Sequence, residues 1–236
     1  MPYLTYHDAD IDEEAVMLFN DGCWLNDKCI DLYLEYLAHT VAPEDDSEKA
    51  IFICSAAMTF FLSNLPSGTD LSILVAPQFT SAPVIFSVIN NNPDVTVALG
   101  GSHWSLMVYV RDMNECLHYD SASGINTNAA KKVAKKLFGI GKVRNMRVPQ
   151  QQNATFIAIN SLRLFITSEC GLYVLSIAEH IYRKVIKPKD ALKYPKELFE
   201  IEFSEIPSGD TMRKNCRGVV ATLKKEYDVR KGVVKQ

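Results

Sequence analysis

Residues 150–174 read QQQNATFIAINSLRLFITSECGLYV. Three glutamines open the stretch, and Glu169-Cys170-Gly171 leads into an apolar run with helical spacing. Between them lie thirteen residues, Phe156–Ser168, that carry a single charge, Arg163. A cysteine at the amino end of a helix stands where the helix dipole favours a thiolate. Two questions follow: which group activates Cys170, and why do the glutamines stand so far before it?

Working outward, the chain of 236 residues suits one domain with a sizeable core. With 47% hydrophobic and 22% charged residues it reads as an ordinary folded globule. A net charge of −3 without a dense basic block excludes a typical nucleic-acid surface. Six scattered cysteines form no CxxC pair, which argues against a zinc ribbon and for reduced intracellular thiols. Met1 leads into PYLTYHDADIDEE, unlike a signal peptide. The uncharged runs Ala50–Thr69 and Leu71–Pro93 are broken by Pro66, Pro77 and Pro83, so neither reads as a membrane span. A soluble cytoplasmic or nuclear protein is expected.

The periodicities point to an α+β class in one domain. Ile30, Tyr33, Leu34 and Leu37 predict a helix over Asp27–His39. Ser55 is suited to cap a second helix, AAMTFFLSNL. VIFSVIN (Val84–Asn90), WSLMVYV (Trp104–Val110), CLHYD (Cys116–Asp120) and KVRNMRVP (Lys142–Pro149) read as strands. Helices return at Asn128–Phe138, at Gly171–Ile186 and around Asp210–Tyr227. The segment DADIDEE reads as solvated and acidic. Its Asp8, Asp10 and Asp12 begin like a calcium loop, but Glu13 and Phe19 stand where glycine and the closing glutamate are needed.

The constellation that carries chemistry is His103, Asp120 and Cys170. His103 lies in GGSHWSL at the mouth of a strand, after two glycines that allow close approach of a ligand. Asp120 ends the next strand, so adjacent antiparallel strands would set imidazole and carboxylate side by side. A cysteine, a histidine and a third, orienting group make an activated nucleophile. His118, two residues before Asp120, competes with His103 for the role of base, and spacing alone leaves both open.

WLND (Trp24–Asp27), GGSHWSLMVY (Gly100–Tyr109), HYDS (His118–Ser121), PQQQN (Pro149–Asn153) and ECGLYV (Glu169–Val174) occur in this order. Together they resemble the sentrin/SUMO-specific cysteine proteases. The likeness is nearest to the deneddylase branch, which acts on the Nedd-type (Rub) ubiquitin-like modifier, and it spans the chain from about Trp24 to the last helix. It implies a papain-like cysteine protease fold in a single domain over 1–236, with a sheet flanked by helices. It also implies Cys170 as nucleophile, His103 as general base and acid, Asp120 as the group that fixes the imidazole, and Gln151 as oxyanion donor. Trp24, Asn26, Asp27 and Trp104 would bind a thin Gly-Gly tail. Tryptophans more often serve core packing, but their placement in WLND and HWS favours the tail slot. The implied partners are the modifier and its conjugates such as cullins. The implied state is a monomer, and neither a metal nor an organic cofactor is called for.

In that family the glutamine precedes the cysteine by six residues, whereas Gln151 and Cys170 are nineteen apart. Removing Phe156–Ser168 restores the spacing, with Glu169 in place of the usual aspartate. The thirteen residues are either an unspliced intron translated in frame or a real loop between two parts of the site. FIAINSLRLFITS is apolar enough to need a surface to bury against, and a displaced oxyanion donor costs rate. An active deneddylase therefore stands beside two alternatives: an impaired module that binds the modifier without cleaving it, and a SUMO protease.

Overall fold

The computed structural model describes residues 2–41, 50–97, 100–151, 169–186 and 194–233, together with the backbone of 155–159 and 162–166. Leu4–Tyr6 (β1) and Ala9–Ile11 (β2) pair antiparallel across a turn in which His7 takes a φ of 48°. Asp12 then accepts the Ala15 N–H at 2.8 Å and caps the short helix Glu13–Met17 (α1). The acidic segment is thus structured rather than merely solvated: Leu4 and Ile11 point into the core, and the acids serve the exposed edge and the cap.

Helix Asp27–Tyr36 (α2) is capped by Asn26, whose side-chain oxygen accepts the Cys29 N–H at 3.0 Å. It ends earlier than its periodicity predicts, because Leu37–Val41 widens into a π-helical turn. There His39 stacks on His7, with ring centroids 3.4 Å apart, and pairs with Glu35 at 3.2 Å. Ile51–Cys54 (β3) precedes helix Ala56–Asn64 (α3), which Ser55 caps as its hydroxyl suggests, by accepting the Met58 N–H at 3.1 Å. Pro77–Ser81 (α4), Val84–Asn90 (β4), Trp104–Val110 (β5), Glu115–Tyr119 (β6) and Thr127–Phe138 (α5) follow. Of KVRNMRVP only Arg144–Asn145 (β7) pairs as a strand. Thr155–Ile159 (β8) and Leu162–Ile166 (β9) come next, then Cys170–Val185 (α6) and Gly209–Arg230 (α7). Among the described residues no helix is long and apolar enough to cross a membrane.

The main sheet runs β3-β4-β5-β6-β7, parallel at its two ends and antiparallel in the middle. Because side chains alternate along a strand, β4 and β5 feed two cores, which explains why they carry apolar residues on both faces. Phe86, Val88, Leu106 and Val108 face α2, α6 and α7. Ile85, Ile89, Met107 and Tyr109 meet Leu62 of α3 and Ala130, Val133, Ala134 and Leu137 of α5. The result is α+β, with helices on both faces of the sheet. Strand β3 lay hidden in the uncharged run after Ala50; its register, Ile51 opposite Val84, comes from a partner more than thirty residues away.

Helix α6 is buried around most of its circumference, from Leu172 through Val185. It lies between the sheet and helices α2 and α7, so its first residue cannot shift without disturbing the core. Strands β8 and β9, which lie among the residues between Gln151 and Cys170, pair with each other antiparallel as a two-stranded sheet, with Thr155 opposite Ile166. What the hairpin's side chains bury against lies outside the described residues.

Candidate active site

The β5–β6 register sets Leu106 opposite Tyr119, so the next pair outward is Ser105 and Asp120, and His103 falls on the diagonal. His103 Nε2 lies 2.6 Å from Asp120 Oδ1, and both side chains are buried, at 3% and 5% exposure. The carboxylate is held on every side. Oδ1 also accepts the Ala122 N–H at 2.9 Å, and Oδ2 accepts the Asn126 N–H at 2.9 Å. Burial would raise the pKa of Asp120, but the hydrogen bonds from His103, Asn126 and Ala122 outweigh it and hold the carboxyl below its ordinary value.

His103 shows the opposite balance. Burial disfavours the imidazolium, yet the hydrogen bond to Asp120 and the neighbouring Cys170 outweigh it and raise the pKa to about 9. With Nε2 committed to Asp120, Nδ1 is the ring nitrogen left for the thiol. Cys170 opens α6 and is 3% exposed. Burial pushes the thiols of Cys29, Cys54, Cys116 and Cys216 up to about 12, which removes them as nucleophiles near neutral pH.

The competing histidine is occupied elsewhere. His118 Nε2 lies 2.9 Å from Ser105 Oγ and Nδ1 lies 3.0 Å from Asn145 Oδ1. Burial holds its pKa below the ordinary value. His118 is a satisfied core residue under the strand that carries Ser105.

The glycines before His103 have a different reason from the one their position suggests. Gly101 takes φ +85°, and a Cβ there would collide with the Asn90 side chain, while one at Gly100 would collide with Asn92. The close approach is to asparagines of the protein itself. Asn91 completes the brace: its Oδ1 accepts the N–H of Ser102 at 2.7 Å and of His103 at 3.2 Å. Asn126 adds a bond from its Nδ2 to the His103 carbonyl at 3.1 Å. Neither asparagine stands out in the sequence: Asn91 follows the end of β4 and Asn126 precedes the first residue of α5.

Trp104 is half-buried and donates its indole N–H to the Leu25 carbonyl at 3.0 Å, which ties β5 to the half-buried Trp24 next to it. The start of α6 meets the same point, since a Cβ at Gly171 would lie 3.0 Å from Leu25 Cβ. Asn26 spends its side-chain oxygen on the helix cap, whereas Asp27 stays partly exposed and, among the described residues, accepts only the adjacent Lys28 N–H. Gln151 donates its backbone N–H to the Ser121 carbonyl at 3.0 Å, one residue from Asp120. Its Oε1 is buried without a hydrogen-bond partner among the described residues. Gln152, the third glutamine, lies outside the described residues, as does Asn153.

The pKa of His103 sets a pH expectation. Folded, it keeps its proton up to about pH 9; unfolded, it loses it near 6.5. Its contribution to stability, on the order of 3 kcal/mol, is therefore complete below pH 6.5 and lost as pH rises through 9. Denaturant titrations of wild type and His103→Ala should converge across that window, and alkylation of Cys170 should lose its imidazolium-paired component above pH 9. A stability difference that stays flat from pH 6.5 to 9 would show that His103 is not held by this pair.

A family model described as the Ulp1 protease family, C-terminal catalytic domain, matches residues 23–201. The chain is 32% identical over 184 residues to the Homo sapiens sentrin-specific protease 8, covering 75% of this chain and 79% of that protein. It is 28% identical over 209 residues to the probable sentrin-specific protease 8 of Dictyostelium discoideum, covering 79% and 77%. It is 29% identical over 185 residues to NEDD8-specific protease 1 of Arabidopsis thaliana, covering 75% and 74%. Among solved structures, the Ulp1 protease domain in complex with Smt3, the yeast ortholog of SUMO, superposes with a TM-score of 0.57 at 16% identity, covering 94% of this chain and 87% of that one. A de-sumoylating protease superposes with a TM-score of 0.58 at 17% identity, covering 95% and 91%. At these identities the structural likeness concerns the fold.

Proposed function

This chain belongs to the Ulp1 protease family and is a cysteine peptidase, and on that premise we propose that it cleaves after the terminal Gly-Gly of a Nedd-type (Rub) ubiquitin-like modifier. The observation that carries the reading is the buried His103–Asp120 pair at 2.6 Å, with Cys170 acting on the same imidazole. Relatives named NEDD8-specific proteases support the choice of modifier.

The chemistry follows from the geometry. The Cys170 thiolate attacks the carbonyl of the last glycine, while His103 holds the proton taken from sulfur on Nδ1. Negative charge gathers on the carbonyl oxygen, where the Gln151 side-chain amide and the Cys170 backbone N–H would donate to it. Collapse of the adduct breaks the C–N bond, the leaving amine takes the proton from His103, and a thioester remains. Water then gives one proton to His103 and attacks the thioester; the C–S bond breaks, the freed carboxylic acid releases its proton to solvent, and the Cys170 thiolate is left paired with the His103 imidazolium. Asp120 keeps Nε2 protonated throughout, so Nδ1 does the proton transfers. Trp24 and Trp104, joined through Leu25, would form a slot too narrow for any tail but a thin one. Asp27, partly exposed beside that slot, would pair with a basic residue of the tail. Conjugates such as modified cullins are substrates of the same site on this reading.

A Nedd-type modifier bearing a cysteine-reactive group in place of its terminal carboxylate tests it. Mixed with the full chain, it should yield one adduct, mapped to Cys170 by mass spectrometry. Reaction with the corresponding SUMO probe alone would reassign the modifier. Reaction with neither would leave the non-cleaving binding module as the better reading.

A further inference from the structure

Of the two described glutamines, Gln150 has the fuller set of side-chain bonds. Its Nε2 donates to the Asp120 carbonyl at 3.1 Å and to the Val148 carbonyl at 3.2 Å. Its Oε1 accepts from the Ser123 N–H at 2.7 Å and from the Ser123 hydroxyl at 3.0 Å. Ser123 sits at φ 51°, a strained position for a residue with a side chain, and so one that needs holding. One residue on, the Gln151 N–H meets the Ser121 carbonyl at 3.0 Å. Segment 148–151 is thus stitched to the turn 120–123 by a side chain and a main-chain bond together.

We infer that Gln150 is a positioning residue that pins the Gln151 segment to the Asp120 turn, so that Gln151 keeps its place whatever joins it to Cys170. The inference rests on the reading of Gln151 as oxyanion donor. It also gives a way in which thirteen extra residues at that point would leave Gln151 in place. Cys170 is anchored independently by the buried α6. The hairpin β8–β9 returns to its own starting point, because Thr155 and Ile166 are antiparallel partners and such Cα atoms lie about 5 Å apart. In a chain with the short connection, six residues from Gln151 to Cys170 would tether the glutamine from its far side. Here the path through the hairpin base is longer, four positions on either side of the Thr155–Ile166 pair, so it restrains Gln151 less and Gln150 supplies more of the restraint.

The test is a cycle on hydrolysis of a Nedd-type modifier carrying a fluorogenic amide at its carboxy terminus. In the full chain, Gln150→Ala should lower kcat about tenfold to a hundredfold. Gln150→Glu should do the same, since it keeps the acceptor for Ser123 but sets a carboxylate against two carbonyls. Alkylation of Cys170 by iodoacetamide, which needs the thiolate but no oxyanion donor, should stay within about threefold. After deletion of 156–168, Gln150→Ala should cost less than about threefold, because the short tether takes over.

Unchanged kcat in both full-chain variants overturns the inference. So does alkylation falling in step with hydrolysis, which would place the effect on His103 and Asp120, and so does an equal loss in both backgrounds. A full chain that is inactive while the deleted chain cleaves overturns it as well. Gln151→Ala, measured alongside, separates the two claims. If it leaves kcat unchanged, the oxyanion reading itself has failed; if it costs activity while Gln150→Ala does not, only the pinning has failed.

Discussion

Replacing Cys170 by alanine is expected to lower hydrolysis of the modifier's carboxy-terminal bond by about 10⁴-fold to 10⁶-fold, down to what binding and oxyanion donors sustain without a nucleophile. The loss should be this deep because no other buried thiol can substitute. Cys29, Cys54, Cys116 and Cys216 are pushed up to about 12 by burial and lie in the two cores. Affinity for the modifier, read by fluorescence anisotropy, should remain within about threefold of wild type, since only one sulfur atom is removed from a residue that is 3% exposed. Equal turnover in the two proteins would assign the chemistry to another group. Binding without turnover in either would identify a module that holds the modifier and does not cut it.

Asp120→Asn is expected to reduce kcat on the order of 10³-fold with little change in KM. The backbone N–H groups of Ala122 and Asn126 require an acceptor on the side chain. An asparagine has one oxygen for these two donors; with that oxygen on the Asn126 N–H, its NH₂ takes the place of Oδ1 and faces both His103 Nε2 and the Ala122 N–H. Nε2 must then accept rather than donate, the ring proton moves to Nδ1, and the nitrogen facing Cys170 can no longer act as a base. Loss of the carboxylate also removes a partner that raises the His103 pKa, so the alkaline limb of the pH profile should move down from about 9. Iodoacetamide alkylation of Cys170 should fall together with hydrolysis. That distinguishes this variant from Gln150→Ala, in which only hydrolysis should fall. A kcat within about threefold of wild type would mean that packing, not the carboxylate, orients the imidazole.

Much of this molecule was determined by local sequence alone. The strands Val84–Asn90 and Trp104–Val110, the face of α5 from Ala130 to Leu137 and the core helix after Cys170 declare themselves through periodicity, which depends only on near neighbours. The Ser55 cap is legible for the same reason, and so is the pairing of His103 with Asp120, because two antiparallel strands joined by a short turn bring their ends together predictably. Other features depend on where the chain returns to itself. Parallel pairing of Ile51–Cys54 with Val84–Ser87, the choice of His103 over His118, and the asparagines rather than a ligand against Gly100 and Gly101 all required the tertiary structure. So did the bonds that Gln150 makes to Asp120 and Ser123 across 27 to 30 residues, and the hairpin that brings Thr155 back to Ile166. The sequence order places a glutamine nineteen residues before a cysteine, but whether both stand in one site depends on two separate anchors, the 120–123 turn and the buried helix α6, and no local pattern encodes their meeting.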